Sequence, residues 1–576
     1  MPNATCWCNA SGSARLQGRF QALPRHSAKL GCSNRCMQRR QFLQSLSCAA
    51  SVPALAQAVA MAAMTPPPGG LRPAVPHWLV DPFALGVASG EPRPDSVLLW
   101  TRLYPGAPRP GESATDHEQN THFEDKSGLG AHHSCIVSYE IYDNEALKKP
   151  VRKGEFVTHA ARAWSVHARI NGLRPDRHYW YRFRCGNAVS QVGRTRTAPA
   201  LDANVARLRL ALASCQHYEQ GRYVAHVDMA RQDLDLVLFV GDYIYESTNP
   251  TYRLRTHTGG VPKTMDAYRE RHALYKLDAD LRSCHAAHPW VCTWDDHEVD
   301  NDYAADQDRA YTQSGVFLAR RAAAYQAYFE HMPVWPGGPG GAYQRIHQHW
   351  QWGQLVDMWT LDCRQFRSAQ PCRDPLRGGG RVVLACDERD DPARTMLGAE
   401  QEAWLTQGMR AASGRWRVLA QGTQISSTGV DTPLGRTIYT DGWDGYTAAR
   451  GRLLGMASES GAQNVLTLGG DVHQNVAANL RVVPNDLASP VVASEFVTTS
   501  VTSRGLSPAA LDRIRASNPD IAHARSDERG YTLIDITPKQ AMATFRTTPF
   551  PAQAGASLGV QARYVVVHGR AGVASA

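Results

Sequence analysis

The segment Leu236-Val-Leu-Phe-Val-Gly-Asp-Tyr-Ile-Tyr-Glu246 places a polar cluster directly after a short apolar run. A run rich in Val and Leu that ends abruptly at Gly and Asp is typical of a buried strand. Residues 208–213 and 465–468 form two further runs of this kind, each followed by a polar cluster. In open α/β sheets, loops at the carboxyl ends of the strands present side chains toward one point. The pattern therefore predicts an α/β domain with a functional site at these strand ends.

Four polar clusters would supply the chemistry of that site. They are Ser214-Cys215-Gln216, Gly241-Asp242-Tyr243-Ile244-Tyr245-Glu246, Trp294-Asp295-Asp296-His297-Glu298 with Asn301, and Gly469-Gly470-Asp471-Val472-His473. A single Cys or Gly-Asp after a strand is more often a small core residue or a turn. Four such clusters in one domain predict a polynuclear metal site.

The ligand types divide this predicted site into two parts. Thiolate and imidazole suit a transition metal, and a phenolate is a hard ligand for Fe³⁺, so Cys215, Tyr245 and His473 are expected around iron. An aspartate placed as Asp242 is can bridge two cations. Oxygen donors are the ligands that Ca²⁺ prefers, and the candidates are Asp295, Asp296, Asn301 and Asp471.

The chain is predicted to contain five segments. They are a prefix at residues 1–36, an export signal at 37–64, a Pro/Gly linker at 65–79, a β-sandwich domain at 80–200 and an α/β domain at 205–576. Short strands with aromatic anchors between residues 96 and 184 favour a sandwich of the immunoglobulin or fibronectin kind. In the α/β domain, helices are predicted at 265–279, 315–331 and 398–411, and a closing hairpin at 530–537 and 541–548.

The N-terminal region carries a predicted export signal. Arg39-Arg40-Gln41-Phe42-Leu43 resembles a twin-arginine signal, and Ala56-Gln57-Ala58 offers a small-residue cleavage site in the apolar stretch that follows. This predicts a periplasmic or secreted protein that uses the twin-arginine translocation machinery and keeps no membrane span after cleavage. Met37, two residues before the arginine pair, is the expected start of the natural chain, and the alternative is a long natural prefix that begins at Met1.

The net charge limits the classes of binding partner, and the positions of the cysteines limit the possible disulfides. The formal net charge of +9 is modest for 576 residues and could favour anionic substrates, but no basic block or basic–aromatic strip indicates specific nucleic acid recognition. In an oxidising compartment, plausible disulfides are Cys284 with Cys292, or two of Cys363, Cys372 and Cys386.

In this order, Ser-Cys-Gln, Gly-Asp-Tyr-Ile-Tyr-Glu, Trp-Asp-Asp-His-Glu-Val-x-Asn and Gly-Asp-Val-His resemble the motifs of the PhoD-like alkaline phosphatases, which use the twin-arginine route. The resemblance covers roughly residue 37 to the C-terminus. It implies a calcineurin-like metallophosphoesterase core, with two mixed β-sheets flanked by helices. It also implies an Fe³⁺ and Ca²⁺ centre that hydrolyses phosphomonoesters and phosphodiesters by attack of a metal-bound water or oxide.

The resemblance also assigns ligands by position. Iron would be held by Cys215, Asp242, Tyr245 and His473, and calcium by Asp242, Asp295, Asn301 and Asp471. The doublet of Asp295 and Asp296 leaves open which carboxylate faces the metals.

Three further residues are candidates for contact with substrate. His297 is expected to stabilise the transition state or protonate the leaving group, and the alternative is a hydrogen bond that orients Asp295 or Asp296. Arg364 and Arg367 follow another strand-like run and are expected to bind phosphate. Cys363 stands where the family motif has Thr.

Two other functions compete with this interpretation. A purple-acid-phosphatase-like enzyme with two transition metals would also begin with a fibronectin-like domain, but it would be expected to carry Gly-Asn-His-Glu and Gly-His-x-His. An exported sandwich-domain protein without catalytic activity would not need all four clusters intact.

Overall fold

The computed structural model describes residues 75–106, 134–249, 251–335, 341–459 and 464–576. The predicted prefix, the export signal and the linker up to residue 74 lie outside the described residues. Within those ranges, no helix is both long enough and apolar enough to cross a bilayer.

The N-terminal region consists of strands that form two layers. The strands are β1 (Val87–Gly90), β2 (Val97–Arg102), β3 (Ser134–Tyr142), β4 (Arg152–His159), β5 (Ser165–Ile170), β6 (His178–Cys185), β7 (Ala188–Val189) and β8 (Gly193–Arg196). One layer is an antiparallel sheet of β4, β3, β6, β7 and β8, and the other contains β1, β2 and β5. Val97 and Leu99 of the second layer share one core with Val137, Tyr181 and Phe183 of the first. The immunoglobulin or fibronectin type stays a prediction.

The rest of the chain alternates between strands and helices. The helices are α1 (Val224–Arg231), α2 (Met265–Lys276), α3 (Ala279–Ala287), α4 (Ser314–His331), α5 (Ala399–Ala411), α6 (Thr447–Glu459) and α7 (Pro508–Ala516). The strands are β9 (Leu208–Ala213), β10 (Leu236–Val240), β11 (Pro289–Thr293), β12 (Gln348–Trp352), β13 (Val356–Thr360), β14 (Val382–Leu384), β15 (Trp416–Ala420), β16 (Val430–Thr432), β17 (Gly435–Tyr439), β18 (Val465–Gly469), β19 (Asn475–Arg481), β20 (Val491–Val497), β21 (Ile521–Arg525), β22 (Glu528–Ile536), β23 (Gln540–Pro549), β24 (Gly559–Val567) and β25 (Ala574–Ser575).

Two large mixed sheets form the centre of this part. The first has the order β25-β24-β23-β22-β9-β10-β11-β1-β2-β5, and the second has the order β12-β13-β15-β18-β20-β19-β21. They pack face to face through apolar side chains such as Leu210 and Leu238 from the first sheet and Val418 and Leu466 from the second. Helices α1 to α4 cover the outer face of the first sheet, and α5 and α6 cover that of the second. This arrangement agrees with the two mixed sheets flanked by helices that the resemblance implies.

The first sheet continues across the predicted boundary at residues 200–205. Strand β1 of the N-terminal region pairs in parallel with β11, with Ser89 opposite Pro289 and Gly90 opposite Trp290. The N-terminal region therefore contributes strands to the sheet that carries part of the candidate site. The boundary itself stays a prediction.

Three details differ from the sequence predictions. The helix predicted at 265–279 ends at Lys276, because Asp278 accepts hydrogen bonds from the first amides of α3 and so begins a new helix. The hairpin β22–β23 does not close the chain, since β24 and β25 extend the sheet beyond it. Cys284 and Cys292 are free thiols rather than a disulfide, whereas the predicted pairing within Cys363, Cys372 and Cys386 is confirmed as a disulfide between Cys372 and Cys386.

Candidate metal centre

The loops that follow β9, β10 and β18 bring the predicted ligands together through unusual backbone conformations. Cys215, Asp242, Asp471 and His473 all have positive φ, between 56° and 63°. This left-handed region is uncommon for residues other than glycine and is found preferentially at functional sites. The surrounding structure therefore holds these four side chains in one arrangement at some cost in backbone energy.

Gly241 allows the loops after β10 and β11 to approach each other. Its φ is +105°, and a Cβ at this position would lie 2.5 Å from Cβ of Asp295. Any larger residue would push these two loops apart. The glycine of the Gly-Asp motif is thus required by both conformation and space.

Four residues predicted to bind iron lie together. Ligand atoms of Cys215, Asp242 and His473 lie within 4.8 Å of one another. The hydroxyl of Tyr245 donates to Oδ2 of Asp242 at 2.9 Å and lies 3.1 Å from Nε2 of His473. Ser503, a residue outside the predicted motifs, donates its hydroxyl to the Tyr245 oxygen at 2.8 Å.

The environment of the Asp242 carboxyl group indicates whether a cation fits among these four residues. Its Oδ1 is buried and has no hydrogen-bond partner. Burial and the negative charges of Asp296 and Asp295 raise the pKa of Asp242 well above its usual range. A buried carboxylate oxygen without a donor is costly unless a positive charge compensates it, so the residues present fit a bound cation.

The structure separates the environments of Asp295 and Asp296. Both oxygens of Asp295 accept hydrogen bonds from Arg364. A ligand atom of Asp296 lies within 4.8 Å of those of Asp242 and His297. Burial would raise the pKa of Asp296, but the positive charges of Arg364 and His297 lower it below its usual range. Of the doublet, Asp296 is the carboxylate that faces Asp242.

The two predicted phosphate-binding arginines contact acidic and aromatic groups. Arg364 is 1% exposed and also donates to Asp441 through Nη1 at 2.8 Å. Arg367 lies 3.3 Å from Asp441 and donates to the hydroxyl of Tyr446 at 3.2 Å. Contact of either arginine with phosphate stays a prediction.

His297 forms a buried pair with Glu246. Its Nδ1 lies 2.6 Å from Oε2 of Glu246, and Oε1 of Glu246 accepts the amide of Asn301 at 3.1 Å. Burial would lower the pKa of His297, but the charges of Glu246, Asp242 and Asp296 raise it well above its usual range. The carboxylate of Glu246 therefore favours the charged form of the imidazole.

Asp471 approaches the same centre from β18. Its Oδ2 accepts the hydroxyl of Thr423 at 2.7 Å. Burial, with the charges of Asp295 and Asp296, raises the pKa of Asp471 well above its usual range. Asp471 is thus a second carboxyl group for which a nearby cation would be stabilising.

Sequence reasoning assigned no role to three acidic residues of this centre. Glu298 accepts the amides of Asp242, Tyr243 and Asp295, and so joins the loops after β10 and β11. Asp302 and Asp441 form a further carboxylate group with Asp296, in which ligand atoms lie within 4.8 Å of one another. Glu298 ends the cluster Trp294-Asp295-Asp296-His297-Glu298, and Asp302 follows Asn301 directly. Asp441 carries no motif that would have indicated it.

Comparisons with known proteins identify the family of this chain. A family model described as PhoD-like phosphatase matches residues 210–545, and one described as PhoD-like phosphatase, N-terminal domain, matches residues 71–199. Alkaline phosphatase D of Bacillus subtilis (strain 168) is 39% identical over 502 residues, which are 85% of this chain and 82% of the relative. The solved structure of PhoD has a TM-score of 0.78 at 38% identity and covers 87% of this chain and 93% of the other.

Proposed function

This chain belongs to the PhoD-like phosphatases, and from that premise we propose that it releases phosphate from phosphomonoesters and phosphodiesters at an Fe³⁺ and Ca²⁺ centre. Family membership makes the chain a phosphoester hydrolase and disfavours the alternative of a non-catalytic exported protein. The metals and the roles of individual residues are our proposal.

The convergence of a thiol, a carboxylate, a phenol and an imidazole carries the proposal of iron. Cys215, Asp242 and His473 would bind Fe³⁺ together with Tyr245, whose hydroxyl already contacts two of them. Thiolate and imidazole do not suit calcium, which takes oxygen ligands. The purple-acid-phosphatase-like alternative is disfavoured because its second metal would need more imidazoles than this centre offers.

Calcium would take the oxygen donors on the other side of Asp242. We assign Asp296, Asn301 and Asp471 to it, with Asp242 shared between the two metals. Asp295 is less suited, because both of its oxygens accept from the charged guanidinium of Arg364, whereas those of Asp296 accept neutral backbone amides. When bound, the cations would polarise the phosphate oxygens and make an attacking water more acidic.

His297 would donate a proton to the leaving oxygen of the ester. Glu246 binds Nδ1, which leaves Nε2 as the nitrogen that can reach substrate. The carboxylate of Glu246 favours the protonated ring, which a general acid needs before the ester bond breaks. Glu246 acts through His297 and is a positioning residue.

The arginines and the N-terminal region would support this chemistry indirectly. Arg364 neutralises Asp295 and Asp441 and would keep them from competing for the cations. The N-terminal region, proposed to be a sandwich of the immunoglobulin or fibronectin kind, would stabilise the sheet to which it adds β1, β2 and β5. Direct binding of phosphate by Arg364 or Arg367 is the competing role.

Export by the twin-arginine route is a further part of the proposal. The pair Arg39-Arg40 and the small residues at 56–58 support it. Replacement of both arginines by lysine should retain the full-length protein in the cytoplasm, as judged by cell fractionation. Normal export of that variant would contradict the proposal.

The test of the proposed function is hydrolysis of p-nitrophenyl phosphate and bis-p-nitrophenyl phosphate with calcium present and after chelation. We expect turnover that is lost on chelation and restored by calcium, with elemental analysis giving iron in the active protein. The ratio of the two rates measures the preference for monoesters or diesters. Equal rates before and after chelation would contradict a calcium requirement.

A further inference from the structure

An exposed apolar surface lies on the small sheet β14–β17–β16. Strands β14 and β17 pair antiparallel, with Val382 opposite Tyr439 and Leu384 opposite Thr437. Alternation along the strands puts these side chains on one face. Val382 is 73% exposed, Leu384 is 48% exposed and Tyr439 is 40% exposed, whereas Ile438 on the opposite face is buried. We call Val382, Leu384 and the ring of Tyr439 the apolar platform.

The apolar platform begins at the metal centre. The hydroxyl of Tyr439 donates to Oδ1 of Asp302 at 3.1 Å, and the amide of Gly380 donates to Oδ2 at 3.1 Å. Asp302 belongs to the carboxylate group that also contains Asp296, a proposed calcium ligand. One end of the Tyr439 ring thus touches the acidic centre, while its face is open to solvent.

The segment that carries the platform is held in place from several sides. Cys372 and Cys386 bridge its two ends. The backbones of Arg381 and Thr440 are joined by a hydrogen bond of 2.9 Å. A Cβ on Gly380 would lie 2.6 Å from the phenol oxygen of Tyr439, so this glycine allows the segment to pack against the ring. The exposed apolar side chains are therefore preorganised, which lowers the entropic cost of binding.

Single exposed apolar residues are common on protein surfaces and require no explanation. Here three share one face, and that face adjoins the phosphate-hydrolysing centre. An ester whose phosphate lies at the metals must direct its organic group away from them. The platform is linked to the centre by the hydrogen bond from Tyr439 to Asp302 and offers an apolar contact nearby.

We propose that the apolar platform binds the organic group of the phosphoester and makes the enzyme prefer esters of aryl or long-chain alkyl alcohols. This inference rests on the proposed function and adds a substrate class to it. The platform contacts the alcohol part, so it changes selectivity between esters rather than the chemistry at phosphorus.

The experiment compares Leu384→Ser and Val382→Ser with the unchanged enzyme on two monoesters, 2-naphthyl phosphate and glycerol 1-phosphate. Each variant is compared with the unchanged enzyme on the same substrate, so differences in leaving-group reactivity cancel. We expect kcat/KM to fall about tenfold for naphthyl phosphate, the lower end of the effect of one apolar contact in a pocket, and to stay unchanged for glycerol phosphate. Leu376→Ser is the matched control, because Leu376 is 89% exposed on the same disulfide-bridged segment but outside the platform.

A binding measurement separates this inference from the proposed function. The affinity of the full chain for 2-naphthylphosphonate, which cannot be hydrolysed as an ester, should fall about tenfold in Leu384→Ser but not in Leu376→Ser. Equal losses on both substrates would overturn the inference, as would unchanged kinetics on both. So would loss of self-association in Leu384→Ser without a change in selectivity, since the platform would then bind a second copy. If the unchanged enzyme hydrolyses neither ester, the proposed function fails, whereas selective phosphonate binding would still support the platform.

Discussion

Arg364 binds both oxygens of Asp295, with its Nε 2.5 Å from Oδ1 and its Nη2 3.0 Å from Oδ2. Both side chains are almost fully buried, and burial raises the pKa of Asp295 to about 6 despite the arginine. A bidentate contact of this kind orients the carboxylate toward the arginine. We therefore propose the adjacent Asp296, whose oxygens accept the backbone amides of His297 and Asp302, as the calcium ligand of the doublet.

This division predicts different outcomes for the two aspartates. Asp295→Asn should lower the free energy of unfolding by about 3 kcal/mol, because it removes one partner of a buried ion pair, while calcium stays bound. Asp296→Asn should lose calcium and should also destabilise the metal-free protein, because the lowered pKa of Asp296 means that its charge stabilises the folded state. Calcium content by elemental analysis and urea unfolding of the chelated proteins measure the two effects. Loss of calcium from Asp295→Asn alone would reverse the assignment.

Asp242 is predicted to be indispensable because both proposed metals share it. Asp242→Asn should lower kcat by at least about 100-fold, the upper range for residues that only support a metal ligand, and should deplete both metals. Asp233→Asn is the control, because Asp233 is an exposed aspartate paired with Arg207. Normal turnover and metal content in Asp242→Asn would refute the site.

Tyr245 is predicted to give the iron a visible absorption band. Tyr245→Phe should remove a tyrosinate-to-iron band and leave the protein folded, as judged by circular dichroism. The control is Tyr243→Phe, two residues earlier, whose hydroxyl contacts His285 at 2.8 Å and lies in the core. An unchanged spectrum in Tyr245→Phe would mean that its phenol is not on iron.

Because Lys276 is buried, we expect the free energy of unfolding to depend on pH. Lys276 is buried beside His285, with Nζ 3.0 Å from Nε2, and burial lowers its pKa to about 7. The unfolded value is roughly 10.4, so between these values the unfolded chain binds a proton that the folded chain does not. Stability should therefore rise with pH in this window, by at most about 1.4 kcal/mol per pH unit.

The comparison of Lys276→Met with the unchanged protein isolates this contribution from other titrating groups. Urea unfolding at roughly pH 7.5 and roughly pH 9 should give a smaller rise in stability for the variant. The same rise in both proteins would show that Lys276 of the folded protein stays charged throughout the window, as it is in the unfolded chain.

Local patterns predicted the buried strands well and the site only in part. Strands β9 and β10 were predicted at their observed bounds, because continuous apolar runs admit few other structures. Strand β24 was missed because most of its side chains are partly exposed and carry no clear period. The proposed choice between Asp295 and Asp296 depends on Arg364, which is distant in sequence and meets the doublet only in the folded chain. Asp441 was missed for the same reason.

The parallel pairing of β1 with β11 has a consequence for how the protein can be divided. A fragment that begins after residue 200 would leave the backbone of β11 as an unpaired sheet edge. Such edges template pairing with other chains, so this fragment should aggregate rather than behave as an isolated enzyme. The N-terminal region thus covers the edge of β11 and should keep the catalytic part from aggregating. It should not be treated as a module that can be exchanged between proteins.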